Sequence, residues 1–166
     1  MSSAELSAFN DLPDGDVRDR LRRCLNVQRW VEAVATARPY RDWAALEGTA
    51  REAAGYLDDG ELLAALAGHP RIGEQASDPD HDEQLSRREQ GGVDPTDLDT
   101  TTRLREGNVA YEARFDRVFL IRAAGRSADE ILAELDRRLQ NDYVSERHET
   151  VSQLREIAIL RLKETL

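Results

Sequence analysis

Residues 68–74 read Gly-His-Pro-Arg-Ile-Gly-Glu, and this stretch constrains how the chain on either side of it can fold. It follows residues 60–67, a run with helical leucine spacing. Gly68 is suited to end that helix, because glycine adopts positive φ at little cost. Pro70 lacks an N–H, so no regular helix continues through it, and it favours an extended backbone at His69. The His69 imidazole could therefore act as a general acid or base, with an ordinary pKa of ~6.5, or could cap the last carbonyls of the helix.

The composition of the rest of the chain favours helices. The 166 residues include only 10 glycines and 5 prolines, and 5% of them are aromatic. Abundant Ala, Leu, Glu and Arg complete a profile that is typical of an all-α protein. The length fits one domain over residues 1–166 with a core of its own. We therefore expect a single compact bundle of about eight or nine helices.

Apolar residues at three- and four-residue spacing predict where these helices lie. The predicted helices cover residues 3–9, 16–25, 28–37, 40–57, 60–67, 83–91, 94–117, 127–141 and 145–166. Ser127 and Glu130 form a capping box, and Asp94 or Thr96 could cap the helix before it. The apolar run 118–121 has no decisive period, so it is either buried helix or extended chain.

Charge and cysteine content exclude several classes of protein. The formal net charge of −10 argues against a nucleic-acid partner and against binding to an anionic membrane. No signal-like segment opens the chain and no apolar run approaches ~18 residues, so we expect a cytoplasmic protein. The single cysteine, Cys24, excludes an internal disulfide and is expected to be a buried structural thiol.

Three polar residues share one face of the helix predicted near residue 83. Ser86, Glu89 and Gln90 are spaced i, i+3 and i+4. A hydroxyl, a carboxylate and an amide on one face could bind a polar ring that carries several N–H and C=O groups. The same three residues could equally form an ordinary solvated face.

A metal site is not indicated. Two histidines, His69 and His81, lie near the aspartates 78, 80 and 82. Their spacing matches no standard zinc or His-Asp pattern, and the carboxylates belong to a charge-rich segment with a proline. We therefore expect no metal.

Arg161 interrupts the apolar stripe of the last helix. At 100° per residue the stripe is formed by Leu154, Ile157, Ala158 and Leu162, and Arg161 falls inside it. Because a guanidinium is rarely buried without a partner, Arg161 is either in a structural ion pair or grips the carboxylate of a ligand. No other arginine is placed so clearly on an inward face by its spacing.

Short motifs in a fixed order cover nearly the whole chain. They comprise Phe9-Asn10-x-Leu12, Cys24, Trp30, Arg38-Pro39, His69-Pro70-Arg71-Ile72-Gly73, Ser86-x-x-Glu89-Gln90, Phe119-Leu120-Ile121-x-Ala123-x-Gly125, Ile131-Leu132-x-x-Leu135-x-x-Arg138, Asn141, Glu146 and Ile157-Ala158-x-Leu160-Arg161-Leu162. Each motif alone is weak, but together they resemble the OHCU decarboxylase family, where OHCU is 2-oxo-4-hydroxy-4-carboxy-5-ureidoimidazoline.

The resemblance implies a fold, an activity and an assembly. It implies an all-α protein, often a homodimer, that acts as a carbon–carbon lyase on a small-molecule substrate. The reaction would be the cofactor-free decarboxylation of OHCU to (S)-allantoin in urate and purine degradation. The C=N bond beside the reacting carbon is already an electron sink, so the chemistry requires neither pyridoxal nor a metal.

The resemblance also implies roles for individual residues. His69 would be the catalytic acid or base and Glu89 a catalytic or substrate-orienting carboxylate. Arg161 would hold the substrate anion, and Arg122 stands where many relatives would carry a small or thiol side chain. The remaining substrate-binding residues implied are Pro70, Ser86, Gln90, Phe119, Leu120, Ile121 and Ala123, of which the segment 119–123 would offer main-chain groups to the ring.

Two other functions fit parts of the pattern. A non-catalytic helical interaction domain would leave His69, Glu89 and Arg161 too far apart to act on one small molecule. A metal-dependent hydrolase would use His69, His81 and the aspartates, and would lose its activity to a chelator.

Overall fold

The computed structural model of the protein describes residues 3–67, 69, 71–72 and 97–165. Within these residues all regular structure is helical, which confirms the all-α expectation. The eight helices described are α1 Ser3–Asn10, α2 Asp14–Cys24, α3 Gln28–Thr36, α4 Trp43–Ala53, α5 Asp59–Ala67, α6 Leu98–Phe115, α7 Ala128–Arg138 and α8 Tyr143–Glu164. No helix in this described part is both long and apolar enough to cross a membrane.

The chain forms two compact units, and each has its own core. The first unit runs to Ala65 and adds the residues from Leu154 onward, while the second runs from Leu66 to Gln153. The expectation of one domain over residues 1–166 stays a prediction.

The first unit is built on α2, α3 and α4, which pack in sequence. Trp30 is fully buried and donates its indole N–H to the carbonyl of Ala50, 2.9 Å away, which joins α3 to α4. Arg38 donates to four carbonyls, those of Phe9, Asn10, Leu12 and Ala35, at 2.8–3.2 Å. The motif residues near the N-terminus therefore shape the fold, since a buried carbonyl needs a donor. Cys24 is buried, as expected.

The second unit is built on α6 and α7. Gly107 lets these helices approach closely, because a Cβ there would lie 2.3 Å from Cδ2 of Leu135. Leu135 belongs to an apolar core cluster whose members come from α6, α7 and the chain between them, together with Ile72. The buried members are Ile72, Leu104, Tyr111, Phe115, Phe119, Ile121, Ala123, Ile131, Leu132 and Leu135.

Several helix ends differ from the sequence-based predictions. The fourth helix was predicted over 40–57 but begins at Trp43, because Asp42 caps it by accepting from the N–H of Ala45. The cap of α6 is Asp97, which accepts from Thr100, and neither Asp94 nor Thr96 takes that place. Asp142 accepts from the N–H of Ser145, so the last helix starts before Ser145. In each case an aspartate one or a few residues away supplied the cap.

Candidate active site

His69 lies just beyond the end of α5. Its main-chain N–H donates to the carbonyl of Leu66 at 3.0 Å, which closes a turn after the helix. The residue is half-buried, and its Nε2 atom is shielded from solvent. The imidazole is therefore held at a helix end and partly removed from water, which suits a group that must exchange protons with a bound substrate.

The chain that follows His69 is anchored to α6. Arg71 makes a two-pronged ion pair with Glu112, with Nη2 2.8 Å from Oε2, and this guanidinium lowers the pKa of the Glu112 carboxyl. Asn108 donates through Nδ2 to the carbonyl of Ile72 at 3.1 Å. Two hydrogen-bonded side chains one helical turn apart on α6 thus fix the backbone within three residues of His69.

The segment 119–123 is not helical, which excludes one of the two conformations that its sequence left open. Phe119, Leu120, Ile121 and Ala123 are all buried. Phe119, Ile121 and Ala123 lie in the same core cluster as Ile72. The structure therefore brings Ile72, three residues after His69, and the segment 119–123 into one core.

The main chain of this segment is tethered on both sides of Ile121. The carbonyl of Leu120 accepts from Nη1 of Arg138 at 2.7 Å, and the N–H of Arg122 donates to Oε1 of Gln153 at 2.9 Å. Within the described residues, neither the N–H nor the C=O of Ile121 makes a hydrogen bond. Buried peptide groups are almost always paired, so these two are candidates for contact with a ligand.

A buried ion pair between Arg138 and Glu146 supports the segment 119–123. This pair was not predicted from the sequence. The side chains of Arg138 and Glu146 are both fully buried and are bonded to each other. The Arg138 guanidinium also lies over the Phe119 ring, 4.8 Å from its centroid. The prediction that no other arginine is placed as clearly on an inward face as Arg161 is therefore wrong, because Arg138 is fully buried. The spacing of Arg138 from Ile131 and Leu135, seven and three residues, was the available signal.

Two hydroxyl groups complete this buried network. Tyr111 donates to Oε1 of Glu146, and burial raises the pKa of Tyr111 to about 12, so its phenol stays protonated. Thr150 donates to the main-chain carbonyl of Glu146 at 2.9 Å and accepts from Nη2 of Arg138 at 3.3 Å. Because its polar atoms have partners, the Arg138–Glu146 pair is a fixed support within the second unit.

Arg161 belongs to the first unit and is buried, at 5% exposure. Its predicted neighbours on the helix face, Leu154, Ile157, Ala158 and Leu162, are buried with it. Nη1 of Arg161 is 3.5 Å from the carbonyl of Arg23, at the limit of a hydrogen bond. The inward position of Arg161 is therefore confirmed, and its role as an anion clamp stays a prediction.

The other predicted site residues lie outside the described part of the chain. These are Pro70, Ser86, Glu89 and Gln90, together with His81 and the aspartates 78, 80 and 82. Among the residues that are described, no three His, Cys, Asp or Glu side chains form a group that could hold a metal ion.

The sequence of this chain matches a known family over most of its length. A family model described as OHCU decarboxylase matches residues 10–163. The chain belongs to this family. The helical fold and the buried segment 119–123 described above therefore belong to a member of the OHCU decarboxylase family.

Two known proteins are similar to this chain in sequence. The uric acid degradation bifunctional protein of Bacillus sp. (strain TB-90) is 26% identical over 160 residues, which are 96% of this chain but 32% of that protein. This chain therefore spans about a third of the Bacillus protein. The 2-oxo-4-hydroxy-4-carboxy-5-ureidoimidazoline decarboxylase of Haloferax volcanii (strain ATCC 29605) is 25% identical over 166 residues, covering 99% of this chain and 97% of that one.

Two solved structures share the fold. An OHCU decarboxylase crystallised in the presence of (S)-allantoin superposes with a TM-score of 0.72 at 23% identity, covering 88% of this chain and 96% of that chain. An (S)-allantoin synthase superposes with a TM-score of 0.70 at 15% identity, covering 97% of this chain and 54% of that chain. At these identities the likeness extends to the helical architecture.

Proposed function

We propose that this protein decarboxylates OHCU to (S)-allantoin without a cofactor, as a lyase of urate and purine degradation. The observation that carries the proposal is the family match over residues 10–163. A relative named for this reaction, in Haloferax volcanii, aligns over 99% of this chain and 97% of its own.

The reaction needs few groups from the protein. In OHCU the carboxylate leaves from a ring carbon that also bears a hydroxyl. As the carbon–carbon bond breaks, its electron pair forms a C=C bond to the neighbouring ring carbon, the pair of the C=N bond moves onto nitrogen, which takes up a proton, and carbon dioxide departs. The hydroxyl then gives up its proton to become a ring carbonyl, and the neighbouring ring carbon gains a proton on one face. The protein must hold the anion, move one proton and orient the ring.

His69 is assigned the proton work. Its half-buried position at the end of α5 favours an imidazole that exchanges protons with a bound ring. The anchors from Arg71 to Glu112 and from Asn108 to Ile72 hold the adjacent backbone in place. A fixed imidazole can deliver its proton to one face of the ring, which would account for a single enantiomer.

The ring is assigned to the segment 119–123. Ile121 has a buried main chain whose N–H and C=O make no hydrogen bond within the described residues, and a ring with alternating N–H and C=O groups matches that pair. Arg161 is assigned to the substrate carboxylate, because a buried guanidinium grips a carboxylate through two bonds. Pro70, Ser86, Glu89 and Gln90 would complete the site, Glu89 as the catalytic or orienting carboxylate.

The direct test is to mix the purified protein with freshly generated OHCU and follow its decay. We expect decay well above the rate in buffer alone, and a product whose optical activity matches (S)-allantoin. Decay at the buffer rate, or an optically inactive product, would contradict the proposed function.

The same assay separates the alternatives. We expect full activity after exhaustive dialysis against EDTA, because the electron sink is in the substrate. A metal-dependent hydrolase would lose its activity and regain it with one divalent ion. A helical interaction domain would give no turnover in either condition.

We further propose that the protein works as a cytoplasmic homodimer with no nucleic-acid or membrane partner. The net charge of −10 supports the absence of these polyanionic partners. Light scattering coupled to gel filtration would give the mass in solution, and a mass of one chain would contradict the dimer.

A further inference from the structure

The main chain of the segment 119–123 is held by charged groups that come from two helices. Arg138 is the last residue of α7, and Glu146 lies in the first turn of α8. The Arg138 guanidinium joins the carboxylate of Glu146 to the carbonyl of Leu120, 2.7 Å from Nη1, and covers the ring of Phe119. One buried cation therefore contacts both the main chain and a side chain of the segment.

A buried ion pair adds less stability than apolar side chains that fill the same space. Arg138 and Glu146 are both 0% exposed, and moving two charges out of water is rarely repaid by their attraction alone. Apolar side chains of similar size would fill the same space. A fully bonded buried pair is then better explained by what it holds in place than by the stability that it adds.

The segment 119–123, which this network holds in place, is the one that the proposed function assigns to binding the substrate ring. The tether at Leu120 and the bond from Arg122 to Gln153 flank Ile121, whose own N–H and C=O make no hydrogen bond in the described part of the chain. Fixing both flanking peptides fixes the direction of the Ile121 groups. A displacement of about 1 Å in such groups can cost about a hundredfold in rate.

We propose that Arg138, oriented by Glu146 and Tyr111, is a positioning residue that sets the substrate-binding main chain at Ile121. It acts through the Leu120 carbonyl and the Phe119 ring and does not itself touch the substrate. The inference rests on the proposed function for its effect on catalysis, but the tether itself can be tested without turnover.

The test replaces the buried pair without stranding a charge. The triple variant Tyr111→Phe, Arg138→Met, Glu146→Leu removes both charges and the phenol that bonds to them. Thr150 keeps its bond to the Glu146 carbonyl, and Asn141 keeps its bond to Glu149. Only the Leu120 carbonyl, whose tether is under test, loses its donor. Such replacements are often neutral for stability. Should the triple variant not fold, Arg138→Lys takes its place, because a single ammonium can pair with Glu146 but cannot also reach Leu120 and cover Phe119.

A neighbouring ion pair gives the matched control. Arg137 and Glu149 bridge the same two helices with the same chemistry, but they are 49% and 26% exposed and do not bond to the segment. The control variant is Arg137→Gln with Glu149→Gln. It removes one pair between α7 and α8 and leaves the Leu120 tether unchanged.

Two measurements are made on each folded protein. Hydrogen–deuterium exchange follows the amides of residues 119–123, and steady-state kinetics with OHCU give kcat and KM. In the tether variants we expect faster exchange in this segment while α6 and α7 stay protected. We also expect kcat/KM to fall about tenfold to a hundredfold, mainly through KM, with an unchanged pH profile because His69 is untouched. The control should match the wild type in both.

The outcomes separate the two proposals. Exchange in the segment that is unchanged in the tether variant overturns the inference, whatever the wild-type activity. Faster exchange with unaltered KM and kcat also overturns it, because the tether would then be only structural. A wild-type protein that is inert towards OHCU contradicts the proposed function, and the exchange measurement still decides whether Arg138 holds the segment.

Discussion

At the scale of the residue, the proposed function assigns different tasks to His69 and Arg161. His69 is half-buried just beyond the end of α5, and its Nε2 atom is shielded from solvent. Arg161 is buried on the apolar face of α8, and its Nη1 atom lies 3.5 Å from the carbonyl of Arg23. In the proposed function the first side chain moves a proton and the second holds the substrate anion.

The first prediction is that His69→Asn folds normally but loses most of its rate. Asparagine keeps a polar side chain of similar reach but cannot exchange protons near neutral pH. We expect kcat to fall by about 10²–10⁴-fold, the typical contribution of a general acid or base. Circular dichroism checks the fold, and stopped-flow decay of OHCU gives the rate. Near-normal turnover with an unchanged spectrum would remove His69 from the mechanism.

The second prediction concerns Arg161→Lys, which keeps the charge but loses the planar fork. If Arg161 holds the substrate carboxylate, KM should rise and kcat fall while the melting temperature changes little. Arg155→Lys makes the same chemical change on the same helix, where the side chain is only half-buried, and should behave as the wild type.

Arg161→Ala distinguishes the structural role from the binding role. If the true partner is a buried carboxylate of the protein, the free energy of unfolding should fall by about 3–5 kcal/mol, because a charge is stranded. That loss, together with normal kcat/KM in the folded fraction, would show Arg161 to be structural. Thermal melts and kinetics of the same samples make the comparison.

At the scale of the element, one face of α7 supplies several of the buried side chains of the second unit. Ile131, Leu132 and Leu135 enter the core cluster, and Arg138 ends the same face with the Leu120 tether. The helix starts with the predicted capping box, in which the Ser127 hydroxyl accepts from the N–H of Glu130 at 3.3 Å. The start of α7 thus contributes to the placement of the segment 119–123.

The third prediction tests this cap. Ser127→Ala removes the acceptor for the first turn and should lower the free energy of unfolding by about 1 kcal/mol. Ser127→Asp keeps an acceptor and adds a negative charge at the helix N-terminus, so it should remain close to the wild type. Urea unfolding of the three proteins gives the values, and equal stability of the Ala and Asp variants would contradict a role for the cap.

Helix ends and buried helix faces were predictable from the sequence where neighbouring residues alone determine them. The capping box at Ser127 and the periodic stripe of α8 need only nearby residues, and both were found in the sequence. The end of α6 was not, because Asp116 adopts a left-handed conformation, with φ of 53°, which several residue types can take at a helix end. The apolar run 118–121 is not helical and places Phe119 and Ile121 in the core cluster, which its own period does not encode.

Arg138 shows what sequence spacing alone does not supply. Its position at the end of a charged helix resembled an ordinary C-terminal arginine, which favours the helix dipole. Its spacing from Ile131 and Leu135 indicates an inward face, but its partners, Glu146 and the Leu120 carbonyl, belong to separate elements that spacing does not join. The family motif contained both residues, but a pattern of motifs does not tell a binding residue from a supporting one.

At the scale of the whole molecule, acidic residues outnumber basic ones, 33 to 23, yet many of the carboxylates are paired with arginines. Arg71 lowers the pKa of Glu112, Arg29 that of Glu61 and Arg51 that of Glu156. A carboxylate with a lowered folded pKa stabilises the fold above its unfolded pKa, and this stability is lost as the pH falls through the folded value. Acid should therefore weaken the protein from many sites at once.

The last prediction isolates one such pair. Arg51 binds both Glu47 and Glu156, which joins α4 to the C-terminal half of α8 within the first unit. Its side chain is 36% exposed and that of Glu156 34%, so solvent screens the pair and Arg51→Gln should cost no more than about 1 kcal/mol near neutral pH. Glu156 has a lowered pKa when folded, so the difference in melting temperature between the wild type and Arg51→Gln should be constant above the ordinary glutamate pKa of ~4.3 and shrink below it.

The control for this measurement is Arg103→Gln, which makes the same change in net charge on an exposed side chain of α6. Its difference from the wild type should stay small at every pH. Net charge alone would move both variants together, because each loses one positive charge from a chain of −10. Convergence of Arg51→Gln with the wild type in acid, without a matching change in Arg103→Gln, therefore assigns the effect to the Glu156 carboxylate. Parallel curves for the two variants would show that the pair adds nothing specific.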